Sequence, residues 1–239
     1  MGLSTASSSC TSVPYTSSRT AWYTVGRLAR PDPERASRRT RASVAHVSLR
    51  SGHYPAMQTL PVSMTAGEDV ELRLLDQDDA VALQRAIDES RDHLAPFMPF
   101  ATTDPADLAF RRSWIAQSRE VFFMGQRFQY GITRAGKVIG GCSIDPVDDR
   151  TASIGFWVHV AHVRRGVASA VAAALTHAAF EAGCEVVRIR HDRANAASGS
   201  IAARLGFECN GEEPHSIDAP GQTGTSVVWT LTASSGLTS

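Results

Sequence analysis

The sequence predicts a mixed α+β domain built around one mostly antiparallel sheet with flanking helices, preceded by a long polar extension. Three observations carry this. From about Glu68 onward, short runs with strand alternation are interleaved with runs of helical spacing. Three of the strand-like runs follow one another across short turns, which implies an antiparallel meander. Residues 1–56 hold neither period and are rich in Ser, Thr and Arg, so they cannot bury enough apolar surface to offset the entropy of ordering.

The elements follow in order. Val70-Glu71-Leu72-Arg73-Leu74 alternates as a strand does. Asp76 then precedes a helical stripe through Ala80, Leu83 and Ile87, with Asp78 and Asp79 in the first turn, where acidic groups favour the helix dipole. Leu94 to Phe100 is broken by Pro96 and Pro99, and a second helix is expected from near Pro105 to about Phe123. The meander comprises Phe128–Thr133, Val138–Ile144 and Ala152–His159, with turns at Ala135-Gly136 and between Pro146 and Arg150. A helix over Gly166–Ala182, a strand over Val186–His191 and a helix over Ala197–Leu205 come next. Strands at Phe207–Gly211 and Val227–Leu231 complete the order β-α-α-β-β-β-α-β-α-β-β.

A chain of 239 residues with 43% hydrophobic residues can bury a sizeable core. The expected organisation is an extension over 1–56 and a domain over 57–239, with its core at about 68–232. Net charge is +0, but eight Arg against Asp32 and Glu34 make residues 1–56 +6 and leave the remainder at −6. That remainder gives no reason to expect nucleic acid or a membrane as partner. The tail lacks the aromatic or structured context of a nucleic-acid site. It reads as a disordered segment, as a spurious extension ahead of Met57 or Met64, or as an Arg-rich transit peptide. Lys137 is the only lysine, which fits a GC-rich genome better than any arginine chemistry. Cys10, Cys142, Cys184 and Cys209 form no CxxC pair and no zinc spacing. No metal is therefore expected, and the thiols suit a reducing, cytoplasmic setting. No apolar run approaches the ~20 residues of a membrane helix.

Two segments carry chemistry. In the first, Val158-His159-Val160-Ala161-His162-Val163-Arg164-Arg165-Gly166-Val167-Ala168-Ser169, a strand ends and a helix begins. The first turn of a helix leaves backbone N–H groups unpaired and carries partial positive charge. Gly166 lets a diphosphate approach those donors, Ala168 keeps the surface low, and Arg164 or Arg165 adds charge. Taken alone, the segment is equally an ordinary turn. In the second, Asn195 closes a strand and caps a helix that contains Ser198 and ends near Gly206. Capping and packing alone would also account for it.

Together, Arg-Arg-Gly-Val-Ala-Ser-Ala over 164–170, Asn195 with Ser198, and Arg204-Leu205-Gly206-Phe207 resemble the GNAT superfamily of acetyltransferases. The RimJ/RimL-like branch, which acetylates amines including protein N-termini, is the nearer match. His93 to Phe100 looks like that branch's acceptor-side loop, Val138-Ile139-Gly140-Gly141 like its third strand, and Ile154-Gly155-Phe156-Trp157-Val158 like its central strand. The resemblance covers about residues 68–232. It implies a neighbouring parallel strand pair that splays apart to admit the pantetheine arm of acetyl-CoA, the expected co-substrate. It also implies that Trp157, Val158, His159 and Val160 line the arm, with backbone hydrogen bonds from Trp157, Val158 and Val160. Arg164, Arg165, Gly166, Val167, Ala168 and Ser169 would cradle the diphosphate, and Asn195 and Ser198 would hold the arm from the other side.

The implied reaction is direct transfer to a primary amine, on a small molecule or a protein N-terminus, within a ternary complex. Holding both reactants in line and facing N–H donors toward the developing oxyanion would supply the rate. Ser198 occupies the family's hydroxyl position and is the candidate proton donor to the departing thiolate. Two departures stand out. Val163 replaces the first Arg/Gln of the usual diphosphate motif, and Ser153 stands where several relatives carry a Glu. A hydroxyl cannot replace a carboxylate as base, so water, His159, His191, Asp145 and Asp192 remain as routes for the proton. The same change keeps open an acyl-CoA-binding sensor with little turnover. The oligomeric state is open, with a homodimer as one option.

Overall fold

The computed structural model describes residues 60–102 and 107–235. The expectations about residues 1–56 and about a helix start at Pro105 lie outside those residues. Among the described residues, eight strands form one sheet in the order β1-β2-β3-β4-β5-β6-β8-β7. They are β1 (Ser63–Thr65), β2 (Val70–Arg73), β3 (Phe128–Arg134), β4 (Lys137–Pro146), β5 (Thr151–Val158), β6 (Val186–Asp192), β7 (Glu208–Pro214) and β8 (Thr225–Thr232). The helices are α1 (Ala80–Glu89), α2 (Arg91–Leu94), α3 (Leu108–Phe123), α4 (Val167–Glu181) and α5 (Ala196–Arg204). Every neighbouring pair is antiparallel except β5 and β6. The mixed α+β architecture expected from the sequence is therefore the one found, extended by β1, which pairs with β2 from Ser63 onward.

Local chemistry explains the boundaries. Asp76 and Asp79 form a reciprocal capping box ahead of α1, and Asp79 is also held by Arg73 through two bonds of 2.7 and 2.6 Å. Asp107 caps α3 by accepting from Phe110 N–H. Ala135 and Gly136 both take positive φ in the β3–β4 turn, as a two-residue hairpin requires.

Side-chain alternation divides the core in two. On one face α4 lays Val167, Val171, Leu175 and Ala178 against Ile144, Ile154, Val158 and Ile189. On the other, α1 and α3 pack Leu83, Ile87 and Ile115 with Trp157. The two faces of β5 thus serve different layers, with Val158 on the first and Trp157 on the second.

Candidate functional site

The site lies where the parallel pair comes apart. β5 and β6 are paired only from Thr151↔Val186 to Ile154↔Ile189. Beyond that, β5 stays with β4 through Gly140↔Val158, and β6 stays with β8 through Asp192↔Ser226. The sheet therefore splits at the C-terminal ends of its two parallel strands, the place where ligands enter α/β sheets.

Backbone polarity along the split follows from the ladder. His159 N–H donates to Ile139 O at 2.8 Å, so alternation turns Trp157 toward β4 as well. The close approach of Trp157 O to Gly140, 2.3 Å from where a Cβ would stand, agrees with this. The N–H and C=O groups of Phe156 and Val158 then face the gap. Of the residues expected to line it, Val158 points there by its backbone. Trp157 instead sends its indole over Gly141 on the α1/α3 face. His159 and Val160 are engaged within the chain. His159 Nε2 meets Glu89 at 3.0 Å, its Nδ1 accepts from Ala161 N–H, and Val160 N–H donates to Ser90 Oγ at 3.1 Å.

Behind the gap stands the opening turn of α4. Gly166 is its N-cap at φ 81°, with no side-chain cap. Ala170 N–H makes the first bond back, to Gly166 O, and the N–H groups of Val167, Ala168 and Ser169 have no acceptor among the described residues. A Cβ at Gly166 would meet nothing within 4 Å, so the mouth of the helix is open. Arg164, also at positive φ, and Arg165 are exposed beside it and make no ion pair among the described residues. Bare amides, helix dipole and two guanidiniums fit a diphosphate.

At the end of β6, Asn195 Oδ1 accepts from Ser198 N–H at 3.2 Å and starts α5. The Asn195 side-chain amide N–H groups and Ser198 Oγ make no bond within the described residues. Both helix openings thus stand on the α4 side of the split.

The other side is bridged by residues 90–101. At one end, Glu89 and Ser90 hold His159 and Val160 beyond β5. At the other, the β7–β8 loop docks, with Gly221 N–H to Pro96 O at 2.9 Å and Gln222 Nε2 to Phe97 O at 3.2 Å. A cavity of about 70 Å³ lies between α1, α3 and the sheet, lined by Leu83, Phe100, Trp114 and Trp157 among others.

The candidate bases are mostly committed. His191 Nδ1 donates to Asp192 O at 2.8 Å while its Nε2 accepts from Trp229 Nε1 at 3.0 Å. Asp145 is held by Arg127 and by Ser143 Oγ, and Ser153 is buried opposite it in the β4–β5 register. Burial opposes the charge of Asp192, yet donors on Ala194, Thr223 and His215 hold its carboxyl below the usual range.

A family model described as an acetyltransferase (GNAT) domain matches residues 69–208. The chain belongs to the GNAT acetyltransferase family. Solved structures share the fold of this GNAT domain. The microcin C7 self-immunity acetyltransferase MccE, in complex with acetyl-CoA and AMP, is 18% identical with a TM-score of 0.66, covering 74% of this chain and 98% of its own. RimJ from Mycobacterium smegmatis, in complex with CoA-disulfide, is 24% identical at 0.62, covering 70% and 83%. RimL, a ribosomal L7/L12 α-N-protein acetyltransferase in complex with coenzyme A, is 19% identical at 0.62, covering 72% and 97%. No curated protein matches the chain. In GNAT terms, the split sheet and the mouth of α4 are where the sequence expected them. Glu89, Ser90 and Phe156 were not anticipated. Ser90 and Val160 are 70 residues apart in the chain, a pairing that no local pattern announces.

Proposed function

We propose that this GNAT domain is an acetyl-CoA-dependent N-acetyltransferase of RimJ/RimL-like type, acting on a primary amine in a ternary complex. The observation that carries the reading is the split between β5 and β6 beside the uncapped first turn of α4. The co-substrate supplies an activated acetyl thioester. Gly166 to Ser169 bind its diphosphate through backbone N–H groups, with Arg164 and Arg165 adding charge. Val158 and Phe156 offer backbone donors and acceptors to the arm, and Asn195 offers its amide from the opposite strand. The Val158 N–H is placed to face a developing oxyanion, and Ser198 Oγ is the donor nearest the start of α5 for the departing sulfur. The acceptor enters from the side bridged by residues 90–101, so the two substrates meet from opposite faces of the sheet without sharing a binding surface.

A protein N-terminus is the favoured acceptor, on the likeness to fold neighbours. Two of the fold neighbours are described as acting on such termini, RimL as a ribosomal L7/L12 α-N-protein acetyltransferase and a Salmonella typhimurium protein as modifying the N-terminal serine of L7/L12. The buried thiols Cys142 and Cys184 suit a cytoplasmic setting. The test is release of free thiol from acetyl-CoA with Ser- and Ala-initiated peptides and a panel of small amines. Turnover with at least one amine is expected. Tight coenzyme A binding with no thiol release from any of them would favour the sensor reading, which Ser153 keeps in play.

A further inference from the structure

Resting on the acetyl-transfer reading, we propose that His215 is the general base that takes the proton from the acceptor amine, with Asp192 as its positioning partner. Asp192 ends β6, and its side chain is 3% exposed. Its carboxylate accepts from His215 Nε2 at 2.8 Å, from Thr223 N–H at 2.8 Å, from Thr223 Oγ1 and from Ala194 N–H at 2.8 Å. An ionised carboxylate only accepts, so Nε2 carries the hydrogen. The neutral imidazole then bears its lone pair on Nδ1, for which no partner exists among the described residues. The ring is 20% exposed, enough to be reached by a substrate.

Register puts this pair at the split. Counting equally along β5 and β6 from the last bridge, Ile154↔Ile189, brings Trp157 level with Asp192. Both alternate with Val158 and Ile189, which pack on the α4 side, so they point to the side opposite α4 and α5, from which the acceptor comes. The β7–β8 loop is closed over the same end by His215 N–H to Gly224 O at 2.9 Å. Thr223 anchors it to Asp192, and Gly221 carries it on to Pro96. Other charges on this face include Arg188 on β6, the Arg190–Glu213 pair, 3.1 Å apart, on the strands flanking β8, and Asp218 in the loop.

The other histidines near the gap are less suited. Both ring nitrogens of His159 and of His191 are engaged. His162 has no carboxylate behind it; burial, His159, Arg134 and Arg165 all hold its ring below the ordinary imidazole range. Among the described histidines, only His215 combines a bare nitrogen with a buried carboxylate that stabilises the imidazolium formed on proton uptake. In the step, the amine nitrogen forms a bond to the acetyl carbon and the carbon–sulfur bond breaks. The amine's proton passes to His215 Nδ1, and the sulfur leaves as thiolate to be protonated by Ser198 Oγ or solvent. His215 then returns its proton to water.

The experiment compares the parent with His215→Gln and His215→Ala, using the amine that turns over fastest with the parent. Gln keeps a donor to Asp192 and removes the base. Both variants should bind coenzyme A as the parent does and lose about 10²-fold or more in kcat, and added imidazole should restore part of the His215→Ala rate. An active parent matched within about threefold by His215→Gln, well short of a general-base effect, overturns the base alone. Loss of coenzyme A affinity in both variants makes His215 a packing residue and also overturns it. A parent that releases no thiol with any amine sinks the acetyl-transfer reading itself, and the base with it.

Discussion

Gly166 offers the sharpest test of the cofactor site. It holds φ 81° at the head of α4, and a Cβ built there meets nothing within 4 Å. Alanine at this position therefore costs only the left-handed backbone penalty, about 1–2 kcal/mol. Glutamate adds the same penalty and a carboxylate beside the bare amides of Val167 to Ser169. That carboxylate can cap the helix itself and repels the diphosphate by about 1–4 kcal/mol per charge pair at ~4 Å, between the limits of water and a protein surface. Calorimetry with coenzyme A should show Gly166→Ala within about fivefold of the parent and Gly166→Glu weaker by about 10²-fold, near 2.7 kcal/mol. The pantetheine arm alone, which carries no diphosphate, should bind both variants alike. Equal coenzyme A affinity for the Glu and Ala variants would refute the placement of the diphosphate at this helix.

Four further outcomes are expected. Ser198→Ala should lower kcat more than it raises KM for acetyl-CoA, and the reverse pattern in steady-state kinetics would leave Ser198 only its place in the first turn of α5. Gly140→Ala places a Cβ 2.3 Å from Trp157 O, backbone that cannot yield without opening the β4–β5 ladder, so thermal unfolding should show a loss of about 1–3 kcal/mol. Asp79 has its carboxyl held below the usual range first by the hydrogen bond from Arg73, against the cost of burial; a depressed folded-state pKa stabilises above the ordinary carboxylate range and is lost as pH falls through the folded value. Asp79→Asn should therefore cost about 1–3 kcal/mol in denaturant titrations at pH 7 and nearly nothing at strongly acid pH, whereas a pH-independent gap would contradict the ion-pair account. Burial raises the Cys184 thiol to about 11 and pushes the Cys142 thiol up further, so mass spectrometry after alkylation at pH 8 should find both unmodified until the protein unfolds.

The fold was legible where periodicity ran long enough. The meander, α4 and the α5 cap all follow from local spacing, and Asn195 forms the cap its position announces. β1 was not legible: three residues with an exposed–intermediate–exposed pattern carry no usable alternation. Helix α2, at four residues, is too short to show a helical period and runs into the Pro-broken stretch that begins at Leu94. In the site, the Gly166 turn could be read because helix starts are written locally. The orientation of Trp157 away from the gap could not, since it depends on the ladder with β4 and on the space left by Gly141. The Asp192–His215 pair was equally hidden, because those residues lie 23 apart and meet only once β7 and β8 have folded back beside β6. Sequence reading considered Asp192 as a base; the structure surrounds it with donors and leaves the bare nitrogen on its partner.

The segment between Ser90 and Ala101 grips material on both banks of the divided sheet, through Val160 on one and Gly221 and Gln222 on the other. It works as a tie-rod: the width of the slot is set by a fixed length of main chain and not by whichever molecule occupies it. Loosening either anchorage would thus shift both banks of the slot at once.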